Sequence, residues 1–221
     1  MAAERGWRHW LALSAFCVAA GALVLQYVIL MRGASPAIGP ALATLRFFSY
    51  FTILSNLLVA FATASACVHG GGSPAAFFRR PAVQGGIALY IGVTGLIYFS
   101  ILRHLWQPQG AQWWADTGLH YASPVLYVAW WVFGLRHSGL RWRTVMAWLG
   151  FPAAYLLWVL LRGAWVHEYP YPFIDVGQLG WAATVRNAAG VLVLFLGLGA
   201  LLVAADRGLA KSGWMDGTRR K

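Results

Sequence analysis

The stretch Trp181–Ala205, WAATVRNAAGVLVLFLGLGALLVAA, decides the class of this protein. From Ala188 to Ala205 no residue is charged. An α-helix rises 1.5 Å per residue, so ~20 such residues cross the ~30 Å hydrocarbon layer of a bilayer. Five further runs of this kind lie toward the N-terminus: Trp10–Met31, Phe47–Val68, Ala82–Leu102, Thr117–Leu135 and Thr144–Leu161. None alternates polar and apolar residues as barrel strands do, so the runs predict helices. The expected fold is all-α: a polytopic membrane protein with six transmembrane helices, forming one domain over residues 1–221. Composition agrees. The 221 residues are 60% hydrophobic and 10% charged, against ~45–50% and ~25% in a soluble domain. That balance excludes a soluble enzyme, a disordered chain and a collagen-like fibre.

The net charge of +11 is placed with a bias. Counting across six spans, Arg5, Arg8, Arg79, Arg80, Arg136, Arg141, Arg143, Arg207, Lys211, Arg219, Arg220 and Lys221 fall on one side. Arg32, Arg46, Arg103, Arg162 and Arg186 fall on the other. The positive-inside rule then predicts a multi-pass protein of the cell inner (plasma) membrane with both termini cytoplasmic. Basic residues lying between apolar runs serve topology and anionic lipid, so no nucleic-acid partner is expected. Trp7, Trp10 and Trp142 fall at the inner interface. Trp106, Trp113, Trp114, Trp165 and Trp181 fall at the outer one, where indole rings are favoured. Trp130, Trp131, Trp148 and Trp158 lie deeper and are expected only to pack. The first run exceeds the ~7–15-residue core of a secretory signal and reads as a retained helix. The short basic connection Arg136–Arg143 predicts that the fourth and fifth helices pack as a cytoplasmic hairpin.

Gly70–Pro74 and Gly33–Pro40 read as flexible turns; the first lacks the Lys and Ser/Thr of a phosphate loop. Cys17 and Cys67 fit neither a disulfide framework nor a metal site. No metal or cofactor is expected: a haem needs paired axial ligands, and beyond His104 and His120 there is no second deep pair.

Polar residues inside the runs carry the functional signal. Thr52 and Asn56 are spaced i, i+4 and share a helical face with Ser49. Tyr90, Thr94 and Tyr98 form a second stripe. His120 lies just inside the fourth run, and Pro124, four residues later, cannot donate to its carbonyl. An ionisable residue within a span is a functional candidate by default. Asp116 is expected at the interface. No Asp or Glu is expected deep in a span, which weighs against proton-coupled transport. Thr52 follows Arg46 by six residues and His120 follows Asp116 by four, giving depths of ~9 Å and ~6 Å in the same leaflet. The connection Trp165–Asp175, with Pro170 and Pro172, lies over the outer mouth as a lid or an interfacial anchor.

Phe51-Thr52 with Asn56, Leu119-His120-Tyr121, and Arg162-Gly163-Ala164-Trp165 leading to Tyr169-Pro170 resemble one family. It is the androgen-induced and androgen-dependent tissue-factor-pathway-inhibitor regulator family, with its bacterial relatives. The overlap covers nearly the whole chain. The resemblance implies a six-helix intramembrane hydrolase. Eukaryotic members cleave fatty acid esters of hydroxy fatty acids with a Thr nucleophile and a His. The matching positions are Thr52 and His120. The chain departs from the animal pattern at His120-Tyr121-Ala122, where those proteins carry hydroxyl residues, and in the insertion of His167 and Glu168. The leading expectation is a lipid-ester hydrolase with Thr52 and His120 catalytic. Asn56, Tyr98 and Arg103 are the substrate-binding candidates, and Ser49, Ser55, Asn56 and Tyr98 the candidate oxyanion donors. Membrane lipids, including an acyl ester, are the expected partners. A non-catalytic assembly or regulatory module and a small transporter are the alternatives.

Overall fold

The computed structural model describes residues 2–34, 39–68 and 72–212. Gly70 and Gly71, residues 35–38 of the Gly33–Pro40 turn, the Arg5 side chain, and Arg219, Arg220 and Lys221 lie outside the described residues. The first half of the chain forms α1 (Ala2–Gly33), α2 (Gly39–Phe47), α3 (Phe51–Cys67), α4 (Ser73–Phe78) and α5 (Pro81–Ser100), with a 3-10 turn at Leu102–His104. Ala111 to Gly134 is then helical throughout: α6 (Ala111–Thr117), a π turn (Gly118–Ala122), α7 (Ser123–Ala129) and a second π turn (Trp130–Gly134). The chain ends in α8 (Arg143–Trp148), α9 (Gly150–Val166), a 3-10 turn at Pro172–Ile174, and α10 (Val176–Ser212), which is interrupted at Gly180. No strand occurs among the described residues.

Four helical stretches are long and apolar enough to cross a membrane: Gly6–Gly33, Pro81–His104, Arg143–Val166 and Val176–Ser212. The pair α2 and α3, bent by 74°, gives a fifth when the two are taken as one broken span. The second run, expected to be continuous from Phe47, is therefore broken at Phe48–Tyr50. Ser49 and Tyr50 turn their N–H groups back onto Arg46 and Phe47, at 3.0 and 3.3 Å. The Ser49 carbonyl, which a continuing helix would offer to Ile53, instead accepts the Tyr155 hydroxyl at 2.9 Å. The fourth expected run, Thr117–Leu135, coincides with helix. It is not among the stretches apolar enough to cross; Thr117, His120, Ser123 and Pro124 interrupt its apolar residues.

The central element is α5. In its apolar stretch 56% of residues are buried, against 17–22% in the other single-helix spans. On one side it meets α3 and α7, which also pack on α1. Ala12, Ala15, Ala19 and Ala22 recur every three or four residues along α1 and are all buried. This small-residue stripe lets α1 approach α3 closely, as helices in lipid do where dispersion drives packing. At Gly118 a Cβ would stand 2.7 Å from the Ala22 Cβ, so the contact between α1 and the first π turn depends on that glycine. On its other side α5 packs on α10 and takes Trp148 of α8 against Gly85 and Gly86. Trp148 does more than pack there: its Nε1–H donates to the Ala82 carbonyl at 2.7 Å, and its own carbonyl accepts Tyr90 at 2.8 Å.

The expected hairpin does not form: α7 packs on α1 and α5, whereas α8 packs on α10. The intervening connection is short but is held to α10 instead. Asp206 accepts the Leu140 N–H at 2.6 Å and faces His137 at 2.9 Å. Large apolar side chains cover the outside, with Trp165, Val193 and Val125 at 85%, 69% and 67% exposed. Such a surface fits lipid rather than water.

Candidate active site

Thr52 is the second residue of α3. The first N–H groups of a helix have no partner within it, and the Thr52 N–H donates out of the helix to the Tyr171 hydroxyl at 3.2 Å. The Thr52 Oγ1 lies 3.3 Å from His120 Nε2 and 3.2 Å from the Tyr171 hydroxyl. His120 is carried by the first π turn, a departure from α geometry that often marks functional sites. Its Nδ1 lies 3.1 Å from the Asp116 carbonyl and 3.2 Å from the Asp116 Oδ1. Both are acceptors, so Nδ1 carries the proton and Nε2 is left to accept. The hydrogen bonds then run one way: Tyr171 O–H to Thr52 Oγ1, Thr52 O–H to His120 Nε2, and His120 Nδ1–H to Asp116.

Asp116, expected at the interface, is 3% exposed. Its Oδ2 accepts a short hydrogen bond from the Tyr98 hydroxyl. The Tyr98 ring stacks on the His120 imidazole, with centroids 3.9 Å apart. Tyr98 thus holds the His120 imidazole from one face and the Asp116 carboxylate from the edge. Asn56 is fully buried and donates to the Thr52 and Leu119 carbonyls at 2.8 and 3.1 Å. It ties α3 to the π turn, and so Thr52 to His120, but lines no cavity described below. Arg103 is exposed at the end of α5, with its guanidinium 3.8 Å above the Phe99 ring and its Nε donating to His104. The structure brings Thr52, His120, Tyr98 and Asn56 together and leaves Arg103 apart.

The connection after α9 folds inward. Glu168 Oε2 accepts from Arg46 at 2.9 Å and from the buried Arg162 at 2.7 Å. Asn187 of α10 donates to the Phe173 carbonyl at 3.0 Å. Pinned at both ends, the connection delivers Tyr171, 9% exposed, onto Thr52. Burial pushes the Tyr171 phenol above its ordinary range, opposed in part by its hydrogen bonds to Thr52. A cavity of about 340 Å³ lies against this cluster; its polar wall is Gln26, Tyr98, Gln112, Asp116, His120 and Tyr171, and apolar residues such as Leu30, Phe47 and Trp106 complete it.

Sequence reasoning missed the roles of Asp116 and Tyr171. Asp116 carried a signal, the i, i+4 spacing to His120. Tyr171 carried only its place between two prolines. Protein-family models, curated proteins and solved structures compared with this chain give no match. Among the described residues no group of His, Cys, Asp or Glu could hold a metal ion.

Proposed function

We propose that this protein is an intramembrane lipid-ester hydrolase in which Thr52 is the nucleophile and His120 the base. The observation that carries the reading is the chain Thr52–His120–Asp116, with 3.3 Å between Thr52 Oγ1 and His120 Nε2. A hydroxyl becomes a competent nucleophile when an adjacent base takes its proton, and the base works best when a third group orients it. Thr52 Oγ1 attacks the ester carbonyl carbon as its proton passes to His120 Nε2. The carbonyl π pair moves onto oxygen. The tetrahedral species collapses, the bond to the alcohol oxygen breaks, and that oxygen takes the proton from His120. Water, deprotonated by His120, then releases the acid and restores Thr52.

The developing oxyanion needs a donor. Ser49, Ser55 and Asn56 are committed to backbone carbonyls and Tyr98 to Asp116. Tyr171, whose hydroxyl stands beside Thr52 Oγ1, is the donor in this reading. The protein crosses the inner membrane six times with both termini cytoplasmic, the fourth crossing being the Ala111–Gly134 helix. Its polar residues face the bundle and its charges follow the positive-inside rule.

The test is turnover of a p-nitrophenyl ester and labelling by a fluorophosphonate probe with purified full-length protein. Thr52→Ala should abolish both. His120→Ala should slow acylation by ~10²-fold or more, the scale of a positioned general base. Thr63→Ala is the control, since its hydroxyl is spent on the Val59 carbonyl one helical turn earlier. Wild-type turnover by Thr52→Ala would exclude the mechanism.

A further inference from the structure

A second cavity reaches Thr52 and is not lined by His120. It is a groove of about 570 Å³ between α5, α9 and α10, within the ~300–1,000 Å³ range of ligand sites. Its rim includes Val185 and Leu192, 60% and 46% exposed, so it opens sideways onto the outer surface. No charged side chain lines it. Its hydroxyls are almost all spent: Thr94 donates to the Tyr90 carbonyl, Thr184 to Gly180 and Tyr155 to Ser49. What remains polar at its inner end is Thr52 with Tyr171, the residues that, with Leu102, also line the polar cavity.

Resting on the hydrolase reading, we propose that this groove holds the acyl chain of the ester and that the polar cavity holds the leaving alcohol. The chemistry sets the direction. His120 must protonate the departing oxygen, and His120 lines the polar cavity alone. The alcohol therefore leaves on that side, and the acyl chain extends away from it, past Thr52, into the groove. A groove with no charged side chain, whose one other side-chain donor is the indole of the largely exposed Trp181, takes a hydrocarbon and rejects a headgroup, because an unpaired buried polar group is costly. Its lateral opening admits the chain from the lipid layer. The substrate class is a long-chain acyl ester whose polarity lies wholly in the alcohol.

The test fills the groove. Ala188 lines it from α10. In full-length protein in detergent, Ala188→Phe should lower the turnover ratio of p-nitrophenyl palmitate to butyrate by at least about tenfold, a shift in keeping with changed apolar contacts in a pocket. A diazirine-bearing palmitate analogue should cross-link to α9 and α10, and Ala188→Phe should suppress that adduct. An unchanged ratio, or adducts confined to Gln26 and Gln112 in the polar cavity, overturns the assignment. If wild type cleaves neither ester, the hydrolase reading fails and the cross-link map alone decides whether the groove binds an acyl chain.

Discussion

The ring of Tyr169 occupies the space in which a side chain on Gly163 would begin. A Cβ at residue 163 would overlap the ring edge, so α9 can hold Tyr169 against its last turn only through glycine. Arg162, the preceding residue, grips Glu168. Two neighbouring positions of α9 thus seat two neighbouring positions of the connection, and Tyr171 follows two residues later.

Gly163→Ala should therefore reduce activity more than stability. Replacing Gly by Ala inside a helix gains up to ~1 kcal/mol, while overpacking costs ~1–3 kcal/mol. The two offset, but Tyr169 must move and carry Tyr171 with it. Ester turnover should fall about tenfold or more at matched helical content, a small misplacement having that scale of effect near a reacting centre. Unchanged turnover would show that Tyr171 is placed independently of Tyr169.

Asp116→Asn should cost less than loss of the acid does in serine proteases. There an Asp→Asn change drops kcat by ~10⁴ through the wrong imidazole tautomer. Here His120 Nδ1 donates to the backbone carbonyl of Asp116, which survives the substitution. The remaining loss is of charge beside the imidazolium, and kcat should fall by ~10–10². Steady-state kinetics on a p-nitrophenyl ester decide it; a loss near 10⁴ would mean that the carboxylate alone sets the tautomer.

Tyr171→Phe should change the alkaline limb of stability. The folded state raises the phenol above its ordinary value, so above pH ~10 the unfolded chain releases a proton that the folded chain retains. Stability from this group is present below that pH and is lost as pH rises toward the folded value. Melting curves from about pH 9 to 11 should show a shallower decline in Tyr171→Phe than in wild type. Parallel declines would remove the phenol from the titration.

Asp206→Asn should destabilise the C-terminal end of α10. Asp206 and His137 side chains are each 3% exposed and 2.9 Å apart. His137 Nε2 also meets an acceptor, the Val132 carbonyl at 3.1 Å. Removing one partner of a buried pair costs ~3–5 kcal/mol because the other is left uncompensated. Thermal unfolding should show that loss, and adding His137→Gln should recover part of it. No recovery would place the effect in the Leu140 N–H bond instead.

The spans at α1, α5, α8–α9 and α10 were legible because length and apolarity alone determine them. The bend before α3 was not. Phe48–Tyr50 contains neither Pro nor Gly, and the break depends on Tyr155, remote in sequence, capturing the Ser49 carbonyl. The same reason defeats the hairpin expectation: loop length says nothing about Asp206, which holds the connection through Leu140 and His137. Thr52 and His120 were legible as a polar pair inside apolar runs. The depth count that set them level ran through the unseen bend, so their contact owes nothing to it. Asp116 was misread because a charged residue at the start of a run looks interfacial. Tyr171 was read as part of a lid or anchor because no local pattern tells which ring of an aromatic connection turns inward.

The first π turn separates what deletion would do to the fold from what it would do to the site. A π turn carries one residue more than the α-helix into which it is inserted. Removing Tyr121 would let the chain close as an ordinary helix. Each residue of an α-helix turns ~100°, so His120 and the buried Tyr127 would then differ in direction by about that angle from their present relation. A lineage losing one codon here would turn His120 away from Thr52, which makes the length of this segment, rather than the identity of its residues, the first place to look when asking which homologues keep the pair.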